Sequence, residues 1–303
     1  MEAIVFDEFG GPGVLRFKEV PEPHAGPGQV RLKVAAAGVN ALDYKIRSGW
    51  MEEAFPTALP AIPGAEVAGT VDEVGDGVTG VAVGDQVVGW SVTGSYAPYA
   101  LAETFAPKPA ALAWEAAVAL PIAGETSERV LNLLKLGNGE TLLVNGAAGA
   151  VGSIGVQLAV ARGATVIATA SEANHDFLRV LGATPVTYGE GLVERVRAIA
   201  PQGVDAVFDV AGKGALPDSI ELRGGTTDRI VTIADVAAAD LGVTFSAGPV
   251  SPDAKSILAG QALLAADGTL RVEVAKVFPL EQAVQAQTLS EEGHVRGKLV
   301  LKV

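Results

Sequence analysis

The chain has 303 residues, a formal net charge of −13, 49% apolar residues and no cysteine. This length exceeds one ordinary domain and the apolar fraction excludes a disordered chain. The acidic balance argues against nucleic acid or an anionic membrane surface as a partner. Absence of cysteine removes disulfides and thiolate zinc sites, and His24, His175 and His294 are too scattered to cage a metal.

The N-terminal MEAIVFDEFG is acidic and reads as a strand, not a signal peptide. Residues 1–118 are rich in Gly, Pro and Val, with β-like runs at Ala3–Phe6, Gln29–Val39, Glu66–Val74, Gln86–Trp90 and Tyr99–Leu101. Short strands separated by turn clusters predict a barrel-like all-β domain. From 119 to 262 strand candidates at 141–145, 165–170, 185–188, 204–210, 229–234 and 242–246 alternate with helical patterns at 151–161, 173–181, 190–200 and 251–266. That alternation predicts an α/β domain, a doubly wound parallel sheet with helices on both faces. The tail, 263–303, returns to strand–helix–strand and is expected to rejoin the first domain. The apolar region 142–170 is interrupted by glycines, Gln157 and Arg162, so it reads as buried strand–helix–strand and not a membrane span. The expected location is the cytoplasm.

Strand, tight turn and helix meet in ETLLVNGAAGAVGSIGVQLAVARG (140–163). Gly146, Ala147, Gly149, Ala150, Val151 and Gly152 leave the turn nearly free of side chains. A diphosphate there could touch backbone N–H groups at a helix N-terminus, where the dipole favours negative charge. A second strand, 164–171, follows at the distance that faces an adenosine ribose in dinucleotide folds. A carboxylate at its end would bind the ribose 2′-hydroxyl and repel a 2′-phosphate. Here the strand ends in Ser171, with Asn174 following, which favours NADPH over NADH. Ser171 is also placed to cap a helix over 173–181. By the same geometry Ala211 and Gly212, and Ile233, Ala234 and Asp235, would line the cofactor after the fourth and fifth strands.

The motifs GVNALDYKIRSG (38–49), PAIPGAEVAGTV (60–71), LPIAGETSERVL (120–131), NGAAGAVGSIGVQLA (145–159), LGATPVTY (181–188), VDAVFDVAGKGAL (204–216) and RGKLVLKV (296–303) span the whole chain. In this order and spacing they resemble the zinc-independent quinone oxidoreductase branch of the medium-chain dehydrogenase/reductase superfamily. The resemblance implies a GroES-like β-barrel domain, a Rossmann domain and a cofactor cleft. It also implies a homodimer paired through the edge strand near Val243–Ser246, a strand whose open edge needs cover on physical grounds. Zinc enzymes of the superfamily carry Cys at the position of Asn40, His at that of Ala65 and another Cys near Pro121–Thr126. None is present here, so no zinc is expected. Without a Lewis acid an alcohol is hard to deprotonate, whereas a quinone or conjugated enone delocalises arriving charge.

The resemblance assigns Asn40 to the substrate carbonyl, its amide donating to developing oxyanion charge. Tyr44 or Lys45 would donate a proton or hydrogen bond; relatives often place a tyrosine where Lys45 stands. Asp43 is expected to hold its loop through Arg47 or backbone amides, and Glu66 to be structural. Thr126 would contact the nicotinamide side and Tyr188 the 2′-phosphate. Lys298 would reach the cofactor or else be solvated. Trp50, Phe55 and Trp90 would shape an apolar pocket or simply pack, and Glu125 has no evident purpose. The function implied is NADPH-dependent reduction of quinones or α,β-unsaturated carbonyls. Its rivals are an enoyl-thioester reductase and a non-catalytic NADPH-binding sensor. The first would call for a basic patch that the acidic composition does not offer, and the second would dispense with Asn40.

Overall fold

A computed structural model describes residues 1–248 and 250–303. It opens on β1 (Glu2–Val5) and β2 (Arg16–Glu19), then β3 (Val30–Val39), α1 (Ala41–Arg47), β4 (Glu66–Val74), β5 (Gln86–Ser91) and β6 (Tyr99–Pro107). Helices α2 (Trp114–Ala117) and α3 (Pro121–Leu133) lead to β7 (Thr141–Asn145), α4 (Ala150–Ala161), β8 (Thr165–Thr169), α5 (His175–Val180) and β9 (Thr184–Val186). Next come α6 (Leu192–Ile199), β10 (Ala206–Asp209), α7 (Leu216–Leu222), β11 (Ile230–Thr232), α8 (Ala238–Leu241) and β12 (Thr244–Phe245). The chain closes with α9 (Ala254–Ala266), β13 (Val274–Pro279), α10 (Ala283–Glu292) and β14 (Lys298–Lys302). Among the described residues no helix is long and apolar enough to cross a membrane.

Two compact units result, one of Met1–Ile122 with Pro252–Val303, the other of Ala123–Ser251. Their limits differ from the expected 118/119 and 262/263. Helix α9, expected with the α/β domain, instead packs against β6 in the first unit.

In the first unit the sheet order is β13-β14-β3-β4-β5-β6, and β3 pairs with β6 as well. That extra pairing, through Val30–Lys33, closes β3 to β6 on themselves and covers the edge of that half of β3, which is how small all-β units manage exposed ladders. Alternation along β3 sends Val30, Leu32 and Val34 into one core with Val67, Val71, Val87 and Phe105. A second core forms where Ala37 and Val39 meet Leu299, Leu301, Phe278 and Ala283. The tail therefore rejoins the barrel by adding β14 antiparallel to β3, with Leu299 opposite Val39 and Val300 opposite Gly38. On the other side of β3, Gly38 lies opposite Glu66 of β4.

The second unit is one parallel sheet of order β12-β11-β10-β7-β8-β9. The order reverses between β7 and β10, the switch point at which doubly wound folds bind their ligands. Apolar strand residues Leu143, Ile167, Val207 and Ile230 share a core with Leu192, Val196 and Leu216 from the helices. The fold is α/β, a closed β-barrel and a doubly wound parallel sheet, as the sequence pattern predicts, and it has the GroES-like and Rossmann domains that the family resemblance implies.

Candidate active site

In the second unit the chain leaves β7 through a turn that only glycine fits at two points. Gly146 has φ +79°, in the left-handed region, and a Cβ there would lie 2.9 Å from the Ala211 methyl. At Gly152 a Cβ would sit 2.5 Å from the Gly146 carbonyl oxygen, so a bare residue is needed for α4 to pack on the turn. Thr169, at the end of β8, fixes the turn by accepting from the Gly146 N–H through its Oγ1 (3.1 Å) and from the Ala147 N–H through its carbonyl (3.0 Å). Sequence reasoning missed this residue. Gly149 is the N-cap of α4, and among the described residues no side chain caps that helix. A Cβ at 149 would meet only the Gly146 carbonyl oxygen, at 3.8 Å. Ala150 and Val151, half-buried, form the first turn of α4, and Ala147 is buried beneath it. Uncapped helical N–H groups beside open space fit a diphosphate.

Two further loops at this end of the sheet are tied to each other. Asp209 accepts from Thr232 Oγ1 at 2.6 Å and from the Gly212 N–H at 3.3 Å. Thr232 Oγ1 in turn accepts from the N–H groups of Ala234 (3.1 Å) and Asp235 (3.0 Å). Ala211, Gly212, Ile233 and Ala234 are thereby held, half-buried, after β10 and β11. Burial raises the Asp209 carboxyl above its ordinary range.

Three expectations for this unit need correcting. Ser171 precedes a short 3₁₀ turn, Glu172–Asn174, and its side chain does not cap it. Its Oγ accepts instead from Asn174 Nδ2 at 3.2 Å, and α5 begins only at His175. Tyr188 does not end the third strand, because β9 stops at Val186 and the tyrosine is exposed beyond it. Glu125 has a clear local purpose: it pairs with Arg129 one helical turn on, at 3.0 Å. The same guanidinium reaches Ser246 Oγ, and Thr126 Oγ1 at 3.4 Å.

In the first unit, β3 ends at Val39 and Asn40 opens α1 in an extended conformation. The Asn40 N–H donates to Asp43 Oδ2 at 2.9 Å, half of a capping box. Tyr96 Oη donates to the same oxygen at 3.0 Å. Asp43 is buried, and desolvation raises its carboxyl to about 7 against the opposing pull of the Asn40 N–H, Lys298 and Tyr96. Arg47 is not its partner. That guanidinium is fully buried and donates to the Gly10 carbonyl (3.1 Å), Gln287 Oε1 (2.7 Å) and Glu291 Oε1 (2.5 Å).

The Asn40 side chain enters a buried charged cluster. Glu66 is 0% exposed and Lys298 is 2% exposed, and the two form an ion pair. Lys298 Nζ also donates to Asn40 Oδ1 at 2.5 Å, and Asn40 Nδ2 donates to Glu66 Oε2 at 2.8 Å. The other Glu66 oxygen accepts the Ile122 N–H, at the start of α3, at 2.7 Å. Lys298 is therefore not solvated, and its ammonium faces Glu66 and Asn40. Glu66 holds this cluster together. Its signal in the sequence was a lone carboxylate inside the apolar run AEVAG.

Tyr44 and Lys45, on α1, are both half-buried, and as neighbours on a helix they diverge by about 100°. The Tyr44 ring stands edge-on to Trp50 at 6.4 Å. Burial and the Glu291 charge raise its phenol, so it keeps its proton at neutral pH. Trp50 is exposed, Phe55 half-buried and Trp90 buried in the sheet.

A GroES-like barrel joined to a Rossmann sheet whose glycine turn is open to a diphosphate defines the medium-chain dehydrogenase/reductase class. Residues 26–109 match the alcohol dehydrogenase GroES-like domain and residues 181–301 the zinc-binding dehydrogenase family. The chain is 36% identical to a quinone oxidoreductase of Rattus norvegicus over 73% of its own length and 70% of the relative's. A Coxiella burnetii quinone oxidoreductase structure is 34% identical, with TM-score 0.87 over 100% of this chain and 99% of that one. A mycobacterial protein solved in complex with NADPH is 30% identical, with TM-score 0.86 over 100% of both chains. The chain belongs to the quinone oxidoreductase branch of the superfamily.

Proposed function

We propose that this protein is an NADPH-dependent reductase of quinones or α,β-unsaturated carbonyls that works without zinc. The observation that carries this reading is the open, uncapped glycine turn at the start of α4, in a chain that matches an NADPH-complexed neighbour end to end. Bound NADPH supplies hydride. The turn residues 146–152 hold its diphosphate, and Ser171 and Asn174 face the adenosine 2′-phosphate. Asn40 receives the substrate oxygen through its amide and stabilises the charge that develops there. Tyr44, held protonated, or Lys45 then returns a proton.

A zinc site does not fit the residues present. Asn40 and Ala65 stand where the zinc enzymes place Cys and His, and the chain has no cysteine at all. The Lys298 ammonium already occupies the space between Asn40 Oδ1 and Glu66, where a dication would meet it as a like charge.

Calorimetric titration is expected to show NADPH binding at least about tenfold more tightly than NADH, a gap of about 1.4 kcal/mol. Turnover should follow on a panel of quinones and enones. Equal affinity for NADH removes the argument from Ser171, and binding without turnover across the panel removes the enzymatic reading in favour of a sensor. For assembly, we propose pairing of two copies through β12. This strand lies at the sheet edge, and both its residues, Thr244 and Phe245, are exposed. Sedimentation should then give a dimer that Phe245→Asp converts to a monomer; a monomeric parent protein rules the pairing out.

A further inference from the structure

Three side chains from three separate elements meet around a missing one. Gly38 is the central residue of a row across the sheet, with Glu66 of β4 on one side and Val300 of β14 on the other. A Cβ at position 38 would lie 2.2 Å from Glu66 Oε2 and 3.0 Å from the Lys298 Cε. Because position 38 is bare, Glu66 and Lys298 reach each other over β3 and close an ion pair sealed from water.

We infer that Glu66 and Lys298 are positioning residues that fix the Asn40 amide in one orientation, with one Nδ2–H left for the substrate oxygen. This inference rests on the role proposed for Asn40 above. An asparagine amide can flip at little steric penalty, since its oxygen and nitrogen have nearly the same shape. Here charge removes the ambiguity. The ammonium can only donate, so it must face Oδ1; the carboxylate can only accept, so it must face Nδ2. The flipped amide would set its N–H groups against the ammonium and its oxygen against the carboxylate. Among the described residues, the second Nδ2–H meets no acceptor.

The ion pair also polarises the amide. Positive charge at Oδ1 draws electrons from the nitrogen, and the second N–H becomes a better donor to an oxyanion. The surroundings are buried, so solvent screens this little. The neighbouring Asp43–Tyr96 pair holds the Asn40 backbone N–H, which fixes the main chain while Glu66 and Lys298 fix the side chain.

The test compares three variants of the full chain loaded with NADPH. Asn40→Ala establishes the role of the amide. The neutral double variant Glu66→Gln with Lys298→Met keeps an acceptor for Ile122 and leaves no unpaired charge. Gly38→Ala retains both charged residues and pushes them apart. Both of the latter are expected to lower kcat at least about tenfold with the KM for NADPH within twofold. The loss should be larger for an enone than for an electron-poor quinone, because the more basic enolate oxygen depends more on its donor. A readout independent of turnover is the side-chain amide resonance pair of Asn40 in ¹⁵N-labelled protein, assigned by its loss in Asn40→Ala. In the parent protein one proton should lie well downfield, bonded to carboxylate, and in the double variant it should return to the ordinary amide range. A folded double variant that retains kcat within twofold, or parent Asn40 protons at ordinary positions, overturns the inference. Unchanged kcat in Asn40→Ala instead overturns the role of Asn40 itself.

Discussion

Lys298→Met alone is expected to destabilise the first unit by about 3–5 kcal/mol, the range for leaving one member of a buried ion pair uncompensated. Glu66 would then be a fully buried carboxylate whose partners among the described residues are the Asn40 amide and the Ile122 N–H. Two neutral donors do not replace an ammonium in a site closed to water. Adding Glu66→Gln should recover most of the loss, because no net charge is then stranded and the glutamine oxygen still accepts from the Ile122 N–H. Chemical denaturation of the single and double variants measures the difference. A single variant within about 1 kcal/mol of the parent would show that Glu66 takes up a proton or finds water, and the pair would then contribute little.

The Asp43→Asn variant is expected to flatten the pH dependence of stability between about pH 4 and pH 7. Burial lifts the folded-state value of Asp43 from 3.8 to about 7, so across that interval the native protein keeps a proton that the unfolded chain has released. Stability from this group is therefore greatest below pH 4. It falls by about 1.4 kcal/mol per pH unit as pH rises through the window, and is flat above 7. The other charges in reach are Lys298, which favours the carboxylate, and Glu66, which opposes it. Asparagine keeps an oxygen for the Asn40 N–H and Tyr96 Oη but has no proton to lose. Melting temperatures taken every half unit from pH 4 to 8 should slope downwards in the parent and lose most of that slope in Asp43→Asn. Parallel curves would place the ionised form in the native protein throughout.

The Rossmann sheet was legible because its strands are short, apolar and separated by helical patterns, which leaves one architecture. The barrel was legible from its turn clusters, but β2, which pairs with β1 outside the barrel, was not. Arg16–Glu19 is exposed along its whole length, so no buried alternation marks it. Helix α1 was missed as an element, although Asn40 and Asp43 stand at capping-box spacing, because seven residues give too little periodicity. The site was legible in its glycines, whose steric demand is local. It was not legible in Glu66 and Lys298. A charged residue in a strand looks solvated until its partner across the sheet is known, and that partner lies 232 residues away. The zinc comparison pointed to Asn40 as a substitution for a metal ligand and did not reveal the ion pair behind it.

The interrupted barrel bears on how a newly made chain matures. The second unit is one unbroken stretch, Ala123–Ser251, whereas the first needs Pro252–Val303 to return to its opening segment. As the ribosome delivers the chain, the parallel sheet has all its strands while β3 still shows an open edge where β14 will dock. Until then Glu66 has no counter-ion, and the strand edge is free to pair with another nascent molecule. Docking of β14 closes the edge and delivers the ammonium in the same event. A molecule that has not finished folding is therefore also one whose Asn40 amide is not yet oriented.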